Sequence, residues 1–177
     1  MAATATFLRY GFKKTSMDDV AQAAGVSRQG LYLYFDTKDF LFREALQYLV
    51  SHMISTARSV AGDGNLSLRD RLLGVFEAVH GSAFQSASPE HAFELLQSAQ
   101  SADGALLVQL DRDLMAIVAA LLAEAGAADR WEEAGVTVAE LSEQLLMSAK
   151  GIKASVDTLT AYRERMLTAI RIVMRSR

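Results

Sequence analysis

The sequence predicts an all-α fold in two parts, a small N-terminal unit of three short helices and a larger helical body behind it. Apolar residues recur at helical spacing along almost every segment of the 177-residue chain, there is a single proline, and no run alternates polar and apolar residues as a half-buried strand does. The breaks between periodic segments carry glycine, or a hydroxyl residue with an acid three positions later, which is how helix ends are punctuated.

Taken in order, the first helix is expected over about Ala2–Tyr10. The second should start at Thr15 or Ser16, whose hydroxyl caps free N–H groups, with Asp18 and Asp19 favoured in the positive first turn. Val20, Ala21 and Ala24 then share a face, Gly25 permits a sharp turn, Val26 plugs it, and Ser27 caps a third helix that opens with Arg28 and Gln29. A long fourth helix from Thr37 or Lys38 to about Val60 should bury Leu41, Ala45, Leu49 and Met53. Ala61 to Asn65 reads as a linker. Ser67 with Asp70 opens a fifth helix, and Ser88, Pro89 and Glu90 restart the chain with a cap, a first-turn proline and an acid. A helix over about Gly104–Ala125, a polar loop from Gly126 to Gly135 holding Trp131, and last helices over about Thr137–Lys150 and Ala154–Arg175 complete the chain.

Two short helices around a glycine turn are the layout of a DNA-reading helix-turn-helix. Arginine forks onto guanine and glutamine onto adenine in the major groove, which makes Arg28 and Gln29 candidate base readers. Tyr32, Tyr34 and Lys38 offer two hydroxyls and a charge to phosphates, and Thr15, Ser16, Ser27 and Gly30 complete the candidate DNA-binding set. Spacing alone would fit many helical proteins that never meet DNA; residue identity goes further. With Phe7, Gly11, Phe12, Thr15, Ser16, then Val20, Ala21, Ala24, Gly25, Val26, Ser27, then Leu31, Tyr32, Tyr34, Phe35, Lys38 and Leu41, the stretch from Phe7 to Leu46 resembles the tetracycline-repressor (TetR) family of bacterial transcription regulators. The resemblance implies a DNA-binding domain over residues 1–46, an effector-binding and dimerisation domain over 47–177, and a homodimer on a palindromic double-stranded operator. The family's pattern carries further residues with a basic start ahead of Phe7. Because this chain begins at Met1, its first helix is expected to be shorter and to lack an arm reaching into a minor groove.

Composition excludes several classes. Half of the chain is apolar, enough for a substantial core and too much for a disordered protein. There is no cysteine, hence no disulfide framework and no thiolate metal site, and a cytoplasmic location is the expectation. The N-terminus lacks the pattern of a signal peptide, and the longest apolar stretches, such as Met115 to Ala123, are too short to span a bilayer, so no membrane partner is expected. The net charge is −3, yet residues 1–38 set Arg9, Lys13, Lys14, Arg28 and Lys38 against Asp18, Asp19 and Asp36. That local excess suits a sequence-selective reader with few phosphate contacts, and a dimer carrying two such readers.

In the body, Leu141, Leu145 and Ile152 form one apolar stripe and Leu159, Met166 and Ile170 another. Such stripes pack into the chain's own core or against a second subunit; the resemblance favours the dimer interface. Phe76, His80, Phe84, Phe93, Gln97, Leu114, Met115 and Val118 are candidates to line a mostly apolar effector site, with core packing as the plain alternative. His52, His80 and His91 show no metal-binding spacing, no nucleophile sits beside a base, and no glycine-rich phosphate loop occurs, so no catalytic residue, metal or cofactor is expected. The sequence therefore reads as a DNA-binding transcription regulator, a repressor released by a small apolar or aromatic effector. The alternatives are a dimeric regulator without an effector, or a helical-bundle enzyme or carrier.

Overall fold

The computed structural model describes residues 2–85 and 89–174. Among the described residues there are eight α-helices and no strand: α1 (Ala2–Lys14), α2 (Met17–Ala24), α3 (Arg28–Tyr32), α4 (Lys38–Ala61), α5 (Leu68–His80), α6 (Pro89–Glu124), α7 (Val138–Ser155) and α8 (Leu159–Val173). None of them is long and apolar enough to cross a membrane.

The helix ends follow from local chemistry. Helix α1 continues past Tyr10 to Lys14 by changing direction at Gly11, whose φ of 81° and ψ of 164° are open to glycine. Ser16, not Thr15, caps α2: its hydroxyl accepts from the Asp19 N–H at 3.1 Å while the Asp19 carboxylate accepts from the Ser16 N–H at 2.8 Å. The bond from the Ser16 hydroxyl, then that from its backbone, holds the Asp19 carboxyl below the usual range. Helix α2 ends at Gly25, which is left-handed at φ 68°, with the Gly25 N–H donating to Gln22 and the Val26 N–H to Ala21. Pro89 begins α6, and Ser88, expected to cap it, lies outside the described residues. Asp103 is non-helical within α6, and its carboxylate accepts from the Leu106 N–H at 3.0 Å. The helix expected from Gly104 is thus the second half of a longer element. Helix α7 runs through Gly151 to Ser155, Val156 is extended, and Thr158 caps α8. The expected start of α8 at Ala154 is therefore five residues too early, because the cap rather than the apolar pattern sets it. Arg175, its expected end, lies outside the described residues.

The chain packs as two compact units. The first comprises Met1–His52 with Gln85–Gln109. Its core gathers Phe7, Val20, Leu31, Leu41, Phe42 and Ala45, with Ala99 from the first half of α6. Phe42 meets Phe7 edge-on at 4.9 Å and Phe12 at 4.7 Å.

The second unit comprises Met53–Phe84 with Leu110–Arg177. Its core holds Leu72, Phe76, Leu114, Leu122, Leu145, Tyr162, Met166 and Ile170, all buried. At its surface Arg71 grips Glu124 with two bonds of 2.7 and 2.9 Å, and Arg163 grips Glu77. Leu145, Met166 and Ile170 are 0% exposed and Leu141 is 4% exposed within the single chain. They face this chain's own core and are not open to a second subunit, which corrects the interface expected from their stripe. Ile152 and Leu159 are half-buried against the same core.

One polar pair lies inside that core. His80 Nδ1 and the Tyr162 hydroxyl share a hydrogen bond of 2.8 Å, and the Phe84 ring stands 5.3 Å from that of Tyr162. Burial pushes His80 down to about 3, with Lys153 and then Lys150 adding to the shift, while burial raises the Tyr162 hydroxyl.

His80 is therefore neutral at pH 7. Between the ordinary histidine value of 6.5 and about 3 the unfolded chain binds a proton that the folded chain refuses. The stabilisation is complete above the upper value and drains away as pH falls through this window, at up to about 1.4 kcal/mol per pH unit. Denaturant unfolding at pH 7.5 and 5.5 should show the native protein losing about 1 kcal/mol more than His80→Gln. Equal losses would place the acid sensitivity on other groups.

Candidate nucleic-acid interface

The third helix is short, and three features fix it. Ser27 accepts from the Gly30 N–H at 3.0 Å, Leu31 is buried in the first unit's core, and the left-handed turn at Gly25 sets its approach. Arg28, Gln29 and Tyr34 are consequently exposed, with Tyr32 at the margin of exposure. A Cβ on Gly30 would come 3.2 Å from the Ser27 hydroxyl, so glycine leaves room for the cap. Of the expected base and phosphate contacts, Arg28, Gln29, Tyr32 and Tyr34 thus face outward, and Leu33, not among them, is more exposed than either tyrosine.

Arg28 is not free. Its guanidinium donates to Asp18 at 2.8 Å across the turn and lies over the Tyr32 ring at 5.6 Å. Local pattern does not reveal this contact, because Asp18 reads equally well as a helix-dipole acid and the pair is ten residues apart. Two candidates take structural roles instead. Thr15 is buried and its hydroxyl donates to the Gly11 carbonyl at 2.7 Å, so it holds the corner between α1 and α2 and is unavailable to DNA. Lys38 donates to the Phe12 carbonyl at 3.0 Å and lies 4.4 Å over its ring, which ties the start of α4 to the end of α1. Val26 is half-exposed and plugs nothing; the turn is closed by backbone bonds, and Ala24 is exposed as well. Ser16 and Ser27 remain exposed, their hydroxyls engaged in the caps.

The effector candidates separate. Phe76, Leu114 and Val118 are at most 1% exposed in the second unit's core, with His80 beside them and Phe84 and Met115 half-buried. Gln97 is exposed and belongs to the first unit, and the Phe93 side chain lies outside the described ones. A cleft of about 270 Å³ in the second unit has Ile117 and Leu121 in its lining and Arg58, Arg71 and Glu124 among its polar residues. None of the effector candidates lines it.

Residues 1–45 match the family model of bacterial regulatory proteins, tetR family. The chain is 44% identical over 46 residues to an uncharacterized HTH-type transcriptional regulator, YfiR, of Bacillus subtilis, a match that covers 26% of this chain and 22% of YfiR. The chain thus spans under a quarter of that relative's length. In fold the likeness is wider. A TetR-like transcriptional regulator from Rhodococcus sp. RHA1 aligns with 99% of this chain and 93% of its own, at a TM-score of 0.63 and 24% identity. The TetR family transcriptional regulator PfmR from Thermus thermophilus aligns over 99% and 96%, at 0.55 and 20%.

The Arg28–Asp18 pair competes with any phosphate or base for the guanidinium. Asp18→Asn should raise affinity for duplex DNA of any sequence several-fold and steepen the slope of log K against log salt by about 0.9. Fluorescence anisotropy across a salt series reads both. Unchanged affinity together with an unchanged slope would mean that Arg28 stays away from the DNA.

Proposed function

We propose that this chain is a tetR-family regulator, a homodimeric, cytoplasmic transcription regulator that represses from a palindromic operator; the match of residues 1–45 to the family model supports the reading. The observation that carries this reading is the outward pair Arg28 and Gln29 on a capped second helix of the motif. Arg28 and Gln29 read base edges in the major groove, while Tyr32 and Tyr34 hold phosphates. The matched family and the curated relative are regulators rather than enzymes.

Two readers on one operator must stand about 34–36 Å apart, one turn of DNA. With the apolar stripes of α7 and α8 turned inward, the dimer forms through their outward side chains, among them Met147 and Ile172, which are 50% and 59% exposed. Replacing both by aspartate should give a folded monomer by sedimentation, with helical content unchanged; a folded dimer would move the interface elsewhere.

A small apolar or aromatic effector engages the second unit near His80, Tyr162 and Phe84, the polar point of an otherwise apolar core. Its binding favours a reader separation that no longer fits DNA, and by linkage DNA weakens effector binding by the same factor, about 5–150-fold. Helix α4, whose residues divide between the two units as those of α6 do, is one covalent route. The close packing of Phe76, Leu114 and Val118 favours instead a regulator without an effector. A thermal-shift screen of lipophilic and aromatic compounds, repeated with bound DNA, decides. We expect a stabilising compound that releases DNA and loses both effects in Tyr162→Phe; no such compound leaves the effector-free regulator.

A further inference from the structure

Leu33 is 82% exposed, the most exposed of the large apolar side chains described, and it directly follows α3 with helical backbone angles of −65° and −24°. Its N–H donates to the Gln29 carbonyl at 3.1 Å, so it sits one turn beyond Gln29 on the same line. At about 100° per residue, Gln29 and Leu33 each lie roughly 160° around the helix from Leu31, whereas Arg28 and Tyr32 lie roughly 60° and 100° from it. Leu31 is the residue that α3 buries. The outermost line of the helix is therefore Gln29 and Leu33, with Arg28 and Tyr32 turned toward one flank and joined there by their cation–π contact.

We propose that Leu33 is a specificity-determining residue that reads the 5-methyl group of thymine, next to the adenine read by Gln29. The inference rests on the DNA-binding reading above. A line facing the floor of the major groove meets base edges, and of the four bases only thymine offers an apolar group there. A leucine has no polar atom with which to hold a phosphate, so its contact selects sequence instead of adding general affinity. Four residues of helix rise about 6 Å, and successive base pairs are about 3.4 Å apart, which places the methyl one or two base pairs from the Gln29 contact. An isolated exposed leucine on an ordinary surface is unremarked. Here it shares the outward line with the only glutamine of α3 and stands between two exposed tyrosines, Tyr32 and Tyr34.

The test starts from duplexes enriched from a random library by the full chain, in which each thymine is then replaced in turn by uracil. Uracil keeps the pairing and removes only the methyl. At one or two positions per half-site, uracil should weaken binding by the native protein about fourfold, the worth of one buried methyl group. Leu33→Ala should bind the thymine duplex that much more weakly and be indifferent to uracil at those positions. Its exposure means that the variant folds, which an unchanged melting temperature verifies. Equal uracil sensitivity in both proteins, or none in the native one, overturns the role of Leu33 while leaving DNA binding intact. Failure of the library to enrich any sequence overturns the DNA-reading function itself, and this proposal with it.

Discussion

The left-handed backbone at Gly25 is the constraint on which the reader's geometry depends. Its φ of 68° and ψ of 27° end α2 and swing the chain so that Ser27, two residues later, caps α3. A Cβ at this position would meet nothing within 4 Å, so the demand for glycine is conformational and not steric. Any other residue would carry about 1–2 kcal/mol of backbone strain. The turn cannot relax to avoid it, because the Gly25 and Val26 N–H groups are both bound to α2 carbonyls. Helix α3 has five residues, far too few to hold itself in water. Turn, cap and the burial of Leu31 together decide which of its side chains look outward.

Much of this was legible in the sequence, and the residues show why. Caps are local chemistry: Ser27 and Ser67 were placed correctly, and the capping box at Thr137 with Glu140 opens α7 where expected. The turn at Gly25 was legible for the same reason, since it depends on a residue and its near neighbours, whereas the non-helical Asp103 within α6 was not singled out. What could not be read was the identity of a distant partner. Periodicity reports that Leu145 and Met166 lie on apolar faces and is silent on whether the facing surface belongs to the same chain. Lys38 looks like a phosphate ligand until Phe12, 26 residues away, appears beneath it. Nor does local pattern say that Ala99 packs in the core of the first unit.

The charge balance acquires a different meaning from these contacts. The reader's small excess of cations overstates what it offers to DNA, because Arg28 faces Asp18 and Lys38 faces Phe12. Arg9, Lys13 and Lys14 on α1 remain exposed. An exposed pair such as Arg28 with Asp18 is worth about 0–1 kcal/mol, so exchanging the carboxylate for a base or phosphate costs little. The pair nevertheless weakens general attraction to DNA, and weak general attraction makes the reader depend on the correct sequence. An apolar side chain on the outermost line of α3 works in the same direction, since it contributes nothing to non-specific binding.

The pair of His80 and Tyr162 constrains the second unit in a comparable way. A buried neutral hydrogen bond adds only about 1 kcal/mol net, while leaving either partner unpaired costs about 1–3 kcal/mol. For the effector proposed here this asymmetry is selective. A ligand carrying one donor or acceptor can bond to the remaining position of the Tyr162 hydroxyl while that hydroxyl keeps His80, whereas a wholly apolar ligand that separates the two strands both. Charging His80 offers no escape, because burial holds it at about 3 and Lys153 and Lys150 oppose a further positive charge. The chemistry that suits this core is therefore an apolar body with one hydrogen-bonding group, and a cationic group at that point is the one it rejects.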